Sequence, residues 1–387
     1  LAETISLKHR TSISKAAPKG EEDITEADEA LFGRITTTKL SPEQRQRLVT
    51  PTKVYPRQES VLAVHWHPEF IPMDLVEKRI AAMFPNSGKQ LIIPTQHNEL
   101  TTFGKYSGVE VDCYSKGFNQ KVQLLLHFKN EALTKGDRLK SMLMHTFKYR
   151  SHQLYEYMET ITRPVEDRIE HAARETGSDE ALIQFVRVNV SKIQRLLEDR
   201  RDLIPPIMIK NKLLRNFFDG LREIYGDDLI NRVQTFLKAV KMSVKAQFSL
   251  KYFYRTSEVI EEARSLGAGI VIPHPEQFWP ILLQEYDVDG IEVWNPQSRR
   301  YTEFLISVLN RRNNNGGPGF RKLITFMGDD THLGEKAREP AHQDPEKARR
   351  EVGLQPAWED VAIRKSLIMA GVDKENVIEE YESRIAA

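Results

Sequence analysis

Cysteine is nearly absent from this 387-residue chain: Cys113 stands alone, which rules out an intramolecular disulfide framework and fits a reducing compartment. Long apolar runs are missing too. No stretch approaches the roughly 20 residues needed to span a bilayer, and the opening residues are too polar for a secretory segment. A cytoplasmic protein without a membrane partner is therefore expected, and a start at Leu1 instead of Met suggests that a short N-terminal piece lies beyond this chain. Charge of one sign is not in excess, since 56 Lys and Arg face 55 Asp and Glu. That balance disfavours an electrostatic nucleic-acid binder, so any phosphate site must be local. There is no Gly-rich phosphate-cradling loop of the P-loop type, no Gly-x-Ser-x-Gly elbow and no internal repeat.

What is present is an alternation of short apolar runs and helical stretches. Residues 1–57 read as an N-terminal extension, basic at Lys8, His9, Arg10 and Lys15 and then acidic from Glu21 to Glu29, with a capped helix start at Ser41-Pro42-Glu43-Gln44. From residue 58 to 130 strands are expected at Val61 to Val64, Gln90 to Pro94, Val109 to Cys113 and Val122 to Phe128, with a helix from Met73 to Phe84. Residues 131–262 are helical in pattern, broken at Pro205-Pro206. Strand texture returns over 263–335, at Gly269 to Pro273, Gly290 to Trp294 and Leu323 to Met327, and a helical tail follows from 336 to 387. The tract Asn313 to Gly319 reads as a flexible loop. The layout implies one α/β domain split by a helical insertion.

Chemistry gathers where the expected strands end. His65 and His67 close the first apolar run, and alternation along an extended chain points both to the same side. His97, Glu110, His127, His274, Asp330 and His332 fall at or near the ends of later strands. An isolated His-x-His is more often incidental than not, and Glu110 alone could be a surface carboxylate; the clustering of these residues at the ends of the expected strands is the strongest evidence for ligands. Imidazoles with a carboxylate able to bridge two ions suit zinc, manganese or iron, whereas magnesium and calcium prefer all-oxygen sites. Two or three divalent ions are expected. By contrast His145, Tyr149, His152 and Glu156 read as a helical face, and Tyr252, Phe253 and Tyr254 as core or interface aromatics.

The order His65-Trp66-His67, Thr95-Gln96-His97-Asn98, Gly108-Val109-Glu110-Val111, Leu126-His127-Phe128, Pro273-His274-Pro275, Asp289-Gly290-Ile291-Glu292-Val293 and Gly328-Asp329-Asp330-Thr331-His332 resembles the PHP (polymerase and histidinol phosphatase) family. The resemblance implies a distorted seven-stranded β/α barrel assembled from residues 58–130 and 263–335. It also implies a di- or trinuclear centre that hydrolyses phosphoesters. By position, His65, His67, Glu110 and Asp330 would hold one ion, Glu110 would bridge to a second held by His127 and His274, and His97 and His332 would serve a third. Glu110, Asp330 and His332 would form the catalytic set, a hydroxide bridging two ions would attack phosphorus, and an acidic group or a metal-bound histidine would protonate the leaving alkoxide.

Two departures stand out. Gln96 takes the place of the family's usual Asp, and no histidine follows His67 closely, which leaves Glu69 or Asp74 as substitutes. Arg299 and Arg300, just after the Glu292 strand, are the first candidates to bind the phosphoryl oxygens of a small phosphorylated substrate, a phosphomonoester or nucleotide. The competing readings are a metal-binding or scaffolding module without activity, and a nuclease acting on oligonucleotides, which would need a continuous basic groove. Oligomeric state is left open.

Overall fold

A computed structural model describes residues 23–317 and 319–385. The basic residues of the opening segment lie outside the described residues. The chain forms two compact units, one of residues 23–37 with 150–248 and one of 38–149 with 249–385.

The first unit is helical. Helix Glu26–Thr36 packs against helices Glu180–Asp199 and Lys212–Gly220, and helix Asp227–Gln247 packs against Glu166–Thr176 and Lys212–Gly220. The spacing of apolar residues explains the association: Leu182, Phe185, Val186, Ile193, Leu196 and Leu197 face inward with Leu31, Phe32, Phe217 and Phe218 in one core. Helix Glu26–Thr36 starts with a capping box, Asp28 N to Thr25 Oγ1 at 3.2 Å and Thr25 N to Asp28 Oδ2 at 3.0 Å.

The second unit is α/β. Its strands are β1 (Ser60–Ala63), β2 (Trp66–His67), β3 (Lys89–Ile92), β4 (Thr101–Phe103), β5 (Tyr106–Ser115), β6 (Gln120–Lys129), β7 (Gly269–Ile272), β8 (Gly290–Trp294), β9 (Ile324–Met327) and β10 (Thr331–His332). β4 to β9 form one six-stranded sheet in sequence order, antiparallel through β7 and parallel from β7 to β9. β1 pairs with β3, and β2 with β10, both in parallel. Further backbone bonds link these pieces. Ile93 N donates to Ala63 O at 2.8 Å and Thr95 N to Trp66 O at 2.8 Å, while Asp330 N donates to His65 O at 2.9 Å. Glu110 N donates to Gln96 O at 3.1 Å and Asn98 N to Glu110 O at 2.7 Å.

The division of the chain differs from the sequence expectation at four places, each for a packing reason. Helix Asp137–Phe147 belongs to the α/β unit and not to an insertion beginning at 131, because Leu139, Met142 and Leu143 are buried in the same core as the β5 and β6 residues Val111 and Leu124. Helix Thr256–Ser265 joins that core through Val259, Ile260 and Ala263. The C-terminal helix Lys374–Arg384 is no appended tail: Val377, Ile378 and Tyr381 are core residues, and the helix packs on β1, β3 and β9. The extension is divided, with Glu26–Thr36 in the helical unit and Pro42–Val49 in the α/β unit. Periodicity shows that a segment is helical but not which core its apolar face will meet.

Helix Pro42–Val49 does start at the expected cap, with Ser41 N donating to Gln44 Oε1 at 2.7 Å and Gln44 N to Ser41 Oγ at 3.2 Å. At its other end Arg79 Nη1 takes the carbonyls of Arg47, Leu48 and Thr50. The expected loop at Asn313 is helical as far as Asn315, and the Asn313 side chain brackets Leu323, donating to its O at 2.8 Å and accepting from its N at 2.9 Å. Leu323 precedes β9, so this junction lies at the opposite end of the strand from Asp330.

Candidate metal centre

At the C-terminal end of β1 the backbone presents His65 and then, through β2, His67. Both side chains are fully buried and face one carboxylate oxygen: Asp330 Oδ1 lies 3.7 Å from His65 Nε2 and 3.4 Å from His67 Nε2. His332 Nε2, two residues beyond Asp330 on β10, is 3.4 Å from the same oxygen. Glu110 projects from β5 into the same place. Its Oε1 is 3.2 Å from His274 Nε2 and 3.8 Å from His65 Nε2, and its Oε2 is 3.7 Å from His67 Nε2 and in contact with His97 Nδ1. The rings of His97 and His332 each stack on His67 at 4.2 Å.

Three sets of donors lie close enough to hold an ion: His65, His67 and Asp330; His65, Glu110 and His274; and His67, His97 and His332. Two ligands of one ion, each about 2.1 Å from it, sit roughly 3.0 to 3.4 Å apart, and several of the separations above fall near that range. The orphaned atoms point the same way. His65 Nε2 and both ring nitrogens of His67 are buried with no hydrogen-bond partner among the described residues, and buried polar atoms left so are otherwise rare. The residues therefore fit divalent cations.

The electrostatics follow from burial and crowding. Burial disfavours charge on His65, yet the carboxylates of Glu292, Asp330 and Glu110 outweigh it and bring the pKa to about 10. Burial together with the neighbouring His97 and His332 pushes His67 well below the ordinary imidazole range. Burial also opposes ionisation of Glu110 and Asp330, but the surrounding histidines hold both well below the usual carboxylate range. A divalent ion would replace the proton that this carboxylate-rich pocket draws onto His65.

Residues around the cluster fix its orientation. His65 Nδ1 donates to Glu292 Oε1 at 2.6 Å, so that when an ion displaces the second proton the lone pair is on Nε2, which faces Glu110 and Asp330. Gly328 makes room for that carboxylate: a Cβ there would stand 1.8 Å from Glu292 Oε1. Backbone strain is concentrated here as well. Glu69, Asn98, His274 and Asp330 have φ of 53°, 55°, 26° and 46°, conformations that cost non-glycine residues about 1–3 kcal/mol each.

Not every expected residue joins the centre. His127 is buried near it, but its Nε2 donates to Val64 O at 2.9 Å and its Nδ1 accepts from Tyr381 Oη at 2.6 Å. Both nitrogens are thus used, and burial drives the pKa down to about 3. His65 stands with Glu110 and His274 where His127 was expected. Arg299 and Arg300 lie in a turn, exposed, with Arg300 over the Tyr301 ring at 4.6 Å; neither bonds to the cluster among the described residues. Glu69 Oε1 lies 3.9 Å from His332 Nδ1, whereas Asp74 is an exposed partner of Lys78. Asp329 is a supporting acid: it accepts from Gly353 N at 2.9 Å, and burial raises its pKa to about 7. Three supporting residues were not foreseen in their roles, namely Glu292, Gln297 and Arg350. Glu292 has a signal in the Gly290-Ile291-Glu292 strand end, while the other two carry none.

No known protein-family model matches the sequence, and no curated protein does. Among solved structures, one from Bifidobacterium adolescentis described as a putative metal-dependent phosphoesterase aligns with 83% of this chain and 100% of its own, at 16% identity and a TM-score of 0.41.

Proposed function

We propose that this protein is a metal-dependent phosphoesterase of the PHP type, acting on a small phosphomonoester or nucleotide. One observation carries the reading: the segments that follow β1, β7 and β9 and the middle of β5 bring His65, His67, His274, Asp330 and Glu110 together in overlapping buried donor sets, with His65 Nε2 and the His67 ring nitrogens unsatisfied among the described residues. The order of those residues along the chain is that of the PHP motifs. A distorted seven-stranded barrel belongs to the same proposal. What supports it is the set of backbone bonds joining β1 to β3, residues 96–98 to β5, and Asp330 to His65.

His65, His67 and Asp330 would hold one ion, Glu110 and His274 with His65 a second, and His67, His97 and His332 a third. Bound zinc, manganese or iron supplies Lewis acidity toward a phosphoryl oxygen and makes water a nucleophile at neutral pH. The protein's part is orientation and exclusion of water. Glu292 fixes the tautomer of His65, the two rings stacked on His67 hold it edge-on to the carboxylates, and burial of Glu110 keeps bulk water from the charges. His332 is part-exposed at 24%, on the side from which a substrate oxygen could accept or release a proton.

The test is metal content by mass spectrometry on protein purified without chelators, followed by a screen of phosphomonoesters, nucleotides and oligonucleotides. Wild type is expected to carry two or three equivalents and to hydrolyse a monoester, and Glu110→Gln to lose both. A wild-type protein that takes up no ion after reconstitution would overturn the reading.

A further inference from the structure

Asp330 is held from several sides, and one of the groups that hold it comes from a segment with no motif. Its backbone is in the left-handed region at φ 46°, which costs an aspartate more than it would a glycine. Asp330 N donates to His65 O at 2.9 Å. Arg350 Nη1 donates both to Asp330 O at 3.0 Å and to Asp330 Oδ2 at 2.9 Å, and Gln297 Nε2 donates to the same Oδ2 at 2.8 Å. With Oδ2 occupied twice, Oδ1 is the oxygen that faces His65, His67 and His332.

We propose that Arg350 is the positioning residue of the centre: it locks the strained backbone of Asp330 and takes up Oδ2, so that Oδ1 alone is offered to a divalent cation. The inference rests on the reading of this cluster as a metal site. Three observations support it. The Arg350 side chain is only 8% exposed, so little of its bonding capacity is spent on water. Its place in space is set by its neighbour, because Glu351 is gripped by Arg79 Nε at 2.8 Å, Arg79 Nη2 at 2.5 Å and Lys336 Nζ at 2.9 Å, all three side chains being buried. Gly353 N, three residues on, donates to Asp329 Oδ2 at 2.9 Å, so the segment is pinned to the ligand loop at a second point. A cation fixed in this way loses little conformational entropy when it binds, and hydrogen bonds to a ligating carboxylate commonly change metal affinity by about 10- to 100-fold.

The experiment compares full-length wild type, Arg350→Lys, which keeps the charge but shortens the reach, and Arg350→Gln, which removes the charge. Mn2+ affinity is measured by competition with a chelator, the visible spectrum is recorded after Co2+ loading, and thermal unfolding is followed without metal. Arg350→Gln is expected to bind Mn2+ about 10- to 100-fold more weakly, Arg350→Lys to fall between, and both to shift the Co2+ absorption. Wild-type affinity and an unchanged Co2+ spectrum in a folded Arg350→Lys or Arg350→Gln variant would overturn the proposal. So would a lower melting temperature accompanied by an unaltered spectrum, the mark of a merely structural arginine. If wild type itself binds neither ion, the metal reading fails and this one falls with it, an outcome distinct from a defect confined to the variants.

Discussion

His65 shows how much one side chain can be asked to do. It is completely buried, donates from Nδ1 to Glu292 and faces two further carboxylates from Nε2. Its tautomer is therefore decided by Glu292, and Glu292 has its place only because residue 328 is glycine. This leads to a prediction at the scale of a single methyl group. Gly328→Ala should displace the Glu292 carboxylate, release the His65 ring and weaken divalent-ion binding about 10- to 100-fold, with the strand β9 before it intact. Isothermal titration with Zn2+ and circular dichroism on the same sample would check both halves, and unchanged affinity would show that Glu292 is not what orients His65. His127 teaches the converse. Its position in the sequence is as suggestive as that of His274, but Tyr381, 254 residues away, takes the nitrogen that a ligand would need.

At the scale of elements, helix Glu26–Thr36 shows how a cap and a buried ion pair share one residue. Asp28 closes the capping box with Thr25 and accepts from Lys192 Nζ at 2.9 Å, with both charged side chains nearly inaccessible. Burial opposes ionisation of Asp28, but the Thr25 N–H and the Lys192 ammonium prevail and hold its pKa below the usual carboxylate value. The folded-state pKa is depressed, so the stabilisation is fully present above about pH 4 and is lost as pH falls through the folded value. Asp28→Asn should leave Lys192 buried without its counter-charge and cost about 3 kcal/mol at neutral pH. The loss should shrink as the pH is lowered toward the folded pKa. Urea unfolding at several pH values would measure it, and a cost that does not change with pH would argue against the pair as its source.

Most of the elements themselves were legible from local pattern. Strands β1, β3, β5, β6, β7, β8 and β9 lie where alternation and apolar runs place them. β2 and β10 were not legible, because two-residue strands have no periodicity and exist only through their pairing with each other. β4 was missed for a related reason: Thr101, Thr102 and Phe103 pair with Gly108, Ser107 and Tyr106 across a tight turn, with little apolar signal of their own.

For the whole molecule, the division into two units has a thermodynamic consequence. Among the described residues, the candidate ligands lie in the unit of residues 38–149 and 249–385 and none in the helical one. Divalent ions should therefore stabilise the α/β unit, by about 2.7 kcal/mol at a free concentration 100 times the dissociation constant, without comparable effect on the helical unit. Hydrogen exchange followed by mass spectrometry, with and without Mn2+, would resolve the two: slowed exchange is expected in peptides covering β1, β5, β7 and β9 and not in those covering residues 180–247. Equal slowing everywhere would mean that the units unfold together. The near-zero net charge also belongs to this scale, since it gives phosphodiester chains no long-range attraction.

What the sequence determined by itself was the local chemistry: which runs are strands, which residues close them, and that imidazoles and carboxylates arrive in an order suited to divalent ions. These are properties of neighbours in the chain. Tertiary structure alone decided which donors meet, which are already spent and what supports them. His65 and Glu292 are 227 residues apart, Arg79 and Glu351 are 272 apart, and Arg350 touches Asp330 across a segment without motif. The tertiary fold also decided that helices 137–147 and 374–384 complete the α/β core. The physical reason is the same in each case: a hydrogen bond or an apolar contact depends on distance in space, and a sequence pattern specifies the face a residue presents but not what it will face.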